Sequence, residues 1–488
     1  MGTYGDSMSS FSSATTIPLW LNGKQVSLST TFDVISPVNH QVLYKCSAAA
    51  DEDAIRAVDA AANALSFWSS TKPDYRRDLF LRTAEIMEQR ADEMFQYAHT
   101  EIGVNRAMFD VEHGYAISSC RNVAGLIQVA TTSTAPIVKD HGRRALCVKE
   151  PYGVVLGISP WNIPNVLGLR AALQPLAMGN TVVLKGPEIA PATLWALVSA
   201  LHEAGLPTGC VNTIYHAPAD AARITSLLIA HPTIKKINFT GSTRVGAIIA
   251  AEAGKHLKPT VMELGGKAPA IVCEDADLAV AAKQCVRGSF VNSGQICMST
   301  ERIIVHSTIA ERFAATLQDE ISRFEEKQGW KVAQLVSDTA AAVNRDLIAD
   351  ATSKGAQILI GGLDSPDSSA SKLKPTILSR VQKSMKIYYK ESFGPTVSFI
   401  IVDSDADAVA VANDTEYGLA SAVFTQDLRR GMRIASQIES GAVHINSMSV
   451  HDEPALPHGG VKESGWGRFN GVQGLEEWVK LKTISWDT

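Results

Sequence analysis

Apolar positions along the chain change their spacing near residue 145. Before it they recur at helical intervals: Ala54, Ile55, Val58, Ala61, Ala62 and Leu65 trace one face of a helix predicted over 51–68, with Asp51 as its cap, and another is predicted over 75–99. Beyond it, short apolar runs at 153–158, 181–185, 211–215, 235–239 and 259–264 alternate with helical patterns near 165–178, 191–204, 218–230 and 243–253. This β-α-β-α rhythm is that of a parallel sheet covered on both faces, which takes its ligands beyond the carboxyl ends of its strands. A second α/β unit is predicted after Gly265-Gly266, with strands at 302–306, 396–402 and 442–446 and a surface loop at 361–371. Residues 477–486 alternate apolar and polar and predict a late strand able to complete a partner's sheet.

Composition narrows the class. At 488 residues, 45% hydrophobic and 19% charged, the chain is globular and long enough for two or three domains. No apolar run approaches the ~20 residues that span a bilayer, and a net charge of -5 without a basic cluster leaves no footprint for nucleic acid. Small molecules are the expected partners. Seven cysteines, an odd number with no C-x-x-C pair, fit neither a disulfide framework nor a zinc knuckle, so no metal is expected and free thiols point to a reducing compartment. Residues 1–16, rich in Ser, Thr and Gly, read as a disordered arm without a secretory signal, and the protein is expected in the cytoplasm.

Against that background a few residues stand out as carriers of chemistry. Cys297, in Ser293-Gly294-Gln295-Ile296-Cys297-Met298-Ser299, has small and polar neighbours, whereas the other six cysteines mostly sit among apolar ones, where a thiol packs as a small hydrophobe. A structural role remains the alternative for it. Glu263 lies in an almost wholly apolar segment, where lost hydration favours the neutral acid and makes the carboxylate a better base; pairing with Lys267 or an outward orientation is the other reading. Asn162, in the proline-bracketed turn Ser159-Pro160-Trp161-Asn162-Ile163-Pro164, can donate to an oxyanion or cap the next helix. Lys185 and Glu188 can hold ribose hydroxyls, Glu188 disfavouring a 2′-phosphate, or form a surface ion pair. Arg170, a lone charge on an apolar helix, either reaches water, pairs internally or faces an oxygen-bearing substrate. The G-x-G-x-x-G fingerprint is absent, but Thr240-Gly241-Ser242-Thr243 opens a helix and either admits a phosphate to its N-terminus or simply caps it.

Six motifs, Pro160-Trp161-Asn162-Ile163-Pro164, Phe239-Thr240-Gly241-Ser242, Glu263-Leu264-Gly265-Gly266-Lys267, Gly294-Gln295-Ile296-Cys297, Glu391-Ser392-Phe393-Gly394-Pro395 and Gly459-Gly460-Val461-Lys462-Glu463-Ser464-Gly465, stand in the order and approximate spacing of one family. From about Leu19 onward the chain resembles the NAD(P)-dependent aldehyde dehydrogenase superfamily. The resemblance implies a Rossmann-like cofactor domain (17–130 and 152–262), an α/β catalytic domain (263–445) and a small β bridging arm (131–151 and 470–488) that makes homodimers or homotetramers. It makes Cys297 the nucleophile, Glu263 the general base and Asn162 the oxyanion donor. The cofactor residues it implies are Ser159, Trp161, Lys185, Glu188, Gly241, Ser242, Gly265, Glu391 and Phe393, binding NAD in preference to NADP. Arg170, Ile296, Met298, His451 and His458 are the implied substrate contacts. One departure is Gly186-Pro187 after Lys185, where the family more often has proline at once; the Lys185-to-Glu188 spacing is kept.

The implied chemistry is attack of the Cys297 thiolate on an aldehyde, hydride transfer from the thiohemiacetal to leave a thioester, and hydrolysis by water activated at Glu263. A carboxylate at that position favours hydrolysis over acyl transfer to coenzyme A. Val443-His444-Ile445-Asn446 and the His451-Asp452-Glu453-Pro454 run are similar to the aromatic branch, the salicylaldehyde, vanillin and benzaldehyde dehydrogenases, as is Arg170 eight residues after Asn162. Succinate-semialdehyde dehydrogenases share that arginine, so a semialdehyde or aliphatic substrate is the alternative, and a non-catalytic family member is the rival of a different class. His458 stands where the family commonly has phenylalanine.

Overall fold

The computed structural model describes residues 15–328, 333–363 and 370–487. Two compact units result: Met1–Ile237 together with Trp478–Thr488, and Asn238–Glu477.

In the first unit Val154–Ile158, Thr181–Lys185 and Val211–Ile214 run parallel, and Leu19–Leu21 and Lys24–Val26 add antiparallel at the edge. Every residue of the two leading strands is buried, as their unbroken apolar texture requires. The helix Pro164–Ala177 is buried on all sides, and Pro191–Glu203 over most of its length, so both are interior helices and not amphipathic covers. A separate three-stranded sheet joins Thr16–Ile17, Val42–Ser47 and Thr31–Ile35. Of the expected disordered arm, 1–14 lie outside the described residues, and Thr16 is already strand, opposite Lys45. The C-terminal strand Val479–Asp487 pairs antiparallel with Arg143–Pro151 of the same chain.

Two predicted helices need correction. Asp51 is the first helical residue of Asp51–Ser70; the cap position is Ala50, whose N–H is taken by Asp53 at 3.1 Å. The helix expected over 75–99 is two, Pro73–Gln89 and Ala91–Ile102, meeting at Arg90, whose guanidinium is drawn off to Glu93, Ser199 and Glu203.

The second unit is built on a seven-stranded sheet in the order Gln357–Ile360, Thr376–Ser379, Thr396–Val402, Thr300–His306, Ala268–Val272, Ala420–Phe424, Ala442–Ile445, parallel except for the first strand. Apolar clusters cover both faces, one around Phe290, Phe313 and Phe399 and one around Ile304, Val423 and Ile434. The predicted loop at 361–371 falls largely on residues outside the described set.

Candidate active site

Glu263 ends the strand Thr260–Glu263, which pairs antiparallel with Gly465–Trp466 so that Glu263 faces Gly465. Gly465 has φ +107, and a Cβ there would stand 2.1 Å from the Met262 carbonyl oxygen, so the pairing needs glycine. Ser464 anchors the next two residues: its hydroxyl donates to the Gly265 carbonyl at 2.6 Å and its carbonyl accepts the Leu264 N–H at 3.0 Å. The Glu263 side chain is only 1% exposed, which removes the outward orientation. Lys267 does not pair with it either, because the Lys267 ammonium lies 2.5 Å from Glu301. Glu263 Oε1 has no hydrogen-bond partner among the described residues, and His458 Nε2 stands 3.8 Å from it. A buried carboxyl oxygen held short of a partner is costly unless water or a reactant completes it.

Gly265 and Gly266 carry the chain between two other predicted site residues. A Cβ on Gly265 would come within 2.6 Å of Glu391 Oε2, and one on Gly266 within 2.1 Å of the Cys297 carbonyl oxygen. Glu391 accepts the Gly266 N–H at 2.8 Å. Burial, reinforced by the Glu301 carboxylate, pushes Glu391 up to about 8 despite that bond and the nearby Lys267. Glu301 also receives the N–H groups of Ser392 at 2.9 Å and Phe393 at 3.1 Å, holding Phe393 at φ +44, a left-handed conformation a phenylalanine seldom adopts.

Cys297 follows three successive left-handed residues, Asn292, Ser293 and Gly294, with φ +50, +59 and +73. A Cβ on Gly294 would meet the Gly394 carbonyl at 2.3 Å, so the cysteine loop is pressed on the Glu391–Pro395 turn. Gln295 ties the loop outward through Val336 N–H at 2.9 Å, and the Ser449 hydroxyl donates to the Met298 carbonyl at 2.7 Å. Ile296 and Met298 are buried on either side of the half-buried thiol. By contrast Cys46, Cys120, Cys210, Cys273 and Cys285 are buried, and burial pushes Cys120, Cys210 and Cys273 up to about 12. Such thiols hold little thiolate at neutral pH. Cys147, half-buried, lies on the two-stranded ribbon.

Gly241 and Ser242 introduce the helix Thr243–Lys255, with Ser242 at the cap position but no side-chain cap bond. Ser242 therefore leaves the first amides of the helix uncapped by its side chain, an arrangement that could hold an anion such as a pyrophosphate. Of the implied substrate contacts, His451 Nε2 lies 3.0 Å from Glu453, its ring against His444 at 4.7 Å, and His458 is buried.

The first unit holds the rest. Val154–Ile158 leads through Ser159, Trp161 and Asn162 into Pro164–Ala177, with Ser159 and Asn162 buried and Trp161 half-buried. The cap position of that helix is Ile163, not Asn162, and its first amides are satisfied from below by Glu112, which accepts Asn165 N–H at 2.7 Å. Arg170 is 5% exposed, so it does not reach water. Lys185 lies 2.8 Å from Glu188 and is itself buried, and His216 Nε2 approaches the same carboxylate oxygen at 3.2 Å, so this is no solvated surface pair. Burial raises Glu188, but Lys185 and His216 outweigh it and hold the carboxyl below its usual range. Gly186 lies flat against Tyr215, whose ring a Cβ would strike at 2.3 Å.

Three contributors escaped the sequence reading: the buried Lys267–Glu301 pair, His216 beside Glu188, and Glu112. Glu301 stands between Thr300 and Arg302 in its strand and so lacked the apolar setting that singled out Glu263, and Glu112 and His216 are joined to their partners only by tertiary structure.

The profile of the aldehyde dehydrogenase family matches residues 20–484. A vanillin dehydrogenase of a Pseudomonas sp. is 40% identical over 483 residues, 96% of this chain and 97% of that one. A salicylaldehyde dehydrogenase of Pseudomonas putida is 38% identical, covering 93% and 94%. Among solved structures, a salicylaldehyde dehydrogenase from Pseudomonas putida complexed with salicylaldehyde superposes with a TM-score of 0.93 at 36% identity, over 97% of this chain and 98% of that one.

Proposed function

We propose, since the chain belongs to the aldehyde dehydrogenase family, that it oxidises an aromatic aldehyde to the carboxylic acid with NAD. Membership makes it an aldehyde-oxidising oxidoreductase with a nicotinamide cofactor; the aromatic substrate and the choice of NAD are our reading. The names of the vanillin and salicylaldehyde relatives support the first, and the Glu188 carboxylate, kept charged by Lys185 and His216 and so unfavourable to a 2′-phosphate, supports the second.

The observation that carries the mechanism is the glycine pair wedged between the Cys297 carbonyl and the Glu391 carboxylate, one residue beyond Glu263. It brings the Cys297 backbone and the Glu391 carboxyl against the segment that follows Glu263, which supports reading these residues as one site. In this reading the Cys297 sulfur bonds the aldehyde carbon, and the Cys297 N–H and the Asn162 amide stabilise the alkoxide, a kind of donor whose loss costs about 10²- to 10³-fold. Asn162 is assigned on the resemblance and on its rigid turn. The cofactor, when bound, accepts the hydride. Lys185 and Glu188 would hold one ribose and Glu391 the other, Phe393 would pack by the nicotinamide, and Ser242 with the helix N-terminus would take the pyrophosphate. Glu263 then removes a proton from the water that attacks the thioester, returning the acid and the thiolate. Arg170, Ile296, Met298, His451 and His458 form the substrate surroundings.

We also read the ribbon as the bridging arm of a homodimer or homotetramer, and the free thiols as fitting a cytoplasmic protein. No described helix is long and apolar enough to cross a membrane. Initial rates with salicylaldehyde, vanillin, benzaldehyde, succinic semialdehyde and an aliphatic aldehyde, each with NAD and NADP, test the proposal. An aromatic aldehyde with NAD is expected to give the highest kcat/KM; preference for succinic semialdehyde overturns the substrate assignment, and no turnover with any of them overturns the activity. In rapid mixing, Cys297→Ala is expected to form no NADH, and Glu263→Gln to keep the first-turnover burst while steady-state turnover falls about 10²-fold.

A further inference from the structure

His458 is buried, and its two ring nitrogens face two carboxylates: Nε2 is 3.8 Å from Glu263 Oε1 and Nδ1 is 3.9 Å from Asp452 Oδ1. Its backbone is locked, the His458 N–H donating to the Phe469 carbonyl at 2.8 Å and the His458 carbonyl accepting the Phe469 N–H at 2.7 Å. Asp452 is held in turn by the Asn470 amide at 2.8 Å. The other ionisable groups at this corner are His444, His451 and Glu453; the last two pair at 3.0 Å, and the Glu453 side chain is 54% exposed. An imidazole therefore stands between Glu263 Oε1, which has no hydrogen-bond partner among the described residues, and the Asp452 carboxylate.

The geometry points to His458 as a positioning residue that serves Glu263 by taking over the proton Glu263 removes from the hydrolytic water. The inference rests on Glu263 being the base of thioester hydrolysis. As the water oxygen bonds the acyl carbon and the carbon–sulfur bond breaks, the sulfur leaves as thiolate and the water's proton goes to Glu263. A neutral His458 with its hydrogen on Nδ1, toward Asp452, has Nε2 free to accept that proton. The imidazolium so formed lies between two carboxylates, which stabilise it, and restores Glu263 as a base. No electrons change hands in this half-reaction. At 3.8 Å the transfer needs one bridging water or a small rotation of Glu263, as catalytic hydrogen bonds in ligand-free sites commonly do. An apolar side chain at position 458 would leave Glu263 without this acceptor.

The test compares wild type, Glu263→Gln, His458→Phe, His458→Ala and Asp452→Asn by first-turnover NADH burst, steady-state rate and the mass of enzyme quenched during turnover. For His458→Phe we expect the steady-state rate to fall about tenfold further than the burst rate, with the acyl adduct of Cys297 accumulating. Asp452→Asn gives a smaller drop of the same kind. Added imidazole restores steady-state turnover in His458→Ala but not in His458→Phe, which a purely structural role would not produce. Equal steady-state rates in wild type and His458→Phe overturn the inference, as does a burst slowed as much as turnover, which would make His458 a pocket wall. If Glu263→Gln itself turns over like wild type, it is the assignment of the base that falls, and the two failures are thereby told apart.

Discussion

At the scale of single residues, the site depends on atoms that are missing as much as on those present. Gly266 has no Cβ because the Cys297 carbonyl oxygen occupies its place, 2.1 Å away, and that oxygen belongs to backbone and cannot swing aside. Gly266→Ala is therefore expected to shift the cysteine loop, with an overpacking cost of about 1–3 kcal/mol, and to reduce kcat far more than the thermal midpoint. Gly265→Ala differs, because its clash is with the flexible Glu391 carboxylate; a raised KM for NAD with little loss of kcat is the expected contrast, read from initial rates at varied NAD. Cofactor choice is also a residue-scale matter. Glu188 is kept charged by Lys185 and His216, so Glu188→Gln removes a repulsion and should narrow the NAD-to-NADP ratio of kcat/KM by about tenfold; an unchanged ratio would mean that discrimination lies elsewhere.

At the scale of elements, two buried carboxylates do the work of helix caps from a distance. Glu112 accepts Asn165 N–H below the helix Pro164–Ala177, and Glu101 accepts Ala192 and Thr193 N–H at 2.7 and 2.9 Å below Pro191–Glu203, neither helix having a side-chain cap of its own. Burial pushes Glu112 up to about 8 and Glu101 to about 7, against those hydrogen bonds. The folded chain therefore keeps both protons where the unfolded chain has lost them. Their contribution is fully present below pH 4.5, the ordinary value, and declines as pH rises toward 7 and 8. Glu112→Gln keeps an acceptor for Asn165 but cannot ionise, so its apparent Tm should fall less than that of wild type between about pH 5 and pH 8, scanned at one rate; parallel curves would refute the linkage. Glu112→Ala should lose about 1–3 kcal/mol and loosen the turn that presents Asn162. These caps also show where sequence stops being legible. The strands 181–185, 302–306 and 396–402 were readable because apolar runs bounded by turns are local signals, and the family because its six motifs are each contiguous. Glu101 and Glu112 looked like ordinary helical acids, since their partners stand 91 and 53 positions away. Ala268–Val272 and Ala420–Phe424, inside their sheet, escaped because proline-interrupted and alanine-rich runs carry little strand signal.

At the scale of the whole molecule, the ribbon is the feature a lone chain does not explain. Val479–Asp487 and Arg143–Pro151 pair over nine residues, from Val479 opposite Pro151 to Asp487 opposite Arg143, and belong to no larger sheet. Two strands alone are marginal in water, yet this pair exposes Leu481 at 71%, Ile484 at 46% and Trp486 at 43%, apolar side chains on both of its faces. Among the described residues the outer edge of Val479–Asp487 pairs with no further strand, and on the other side only the Thr134–Cys147 bridge adds to Arg143–Pro151. Burial against a second copy resolves both costs, which is why we assign the ribbon to assembly. Cys147 sits within it, near Thr483, so its partial exposure follows from the ribbon and not from reactivity. Light scattering on Leu481→Lys/Trp486→Lys is expected to give a species of about half the wild-type mass or less, because a lysine pair cannot be buried face to face without a large desolvation cost. Since the three residues named for the chemistry, Cys297, Glu263 and Asn162, all lie outside the ribbon, the dissociated variant should still form NADH in a first turnover, with a lowered thermal midpoint. A variant that keeps the wild-type mass would place the subunit contact on another surface and leave the exposed apolar side chains of the ribbon to be accounted for some other way.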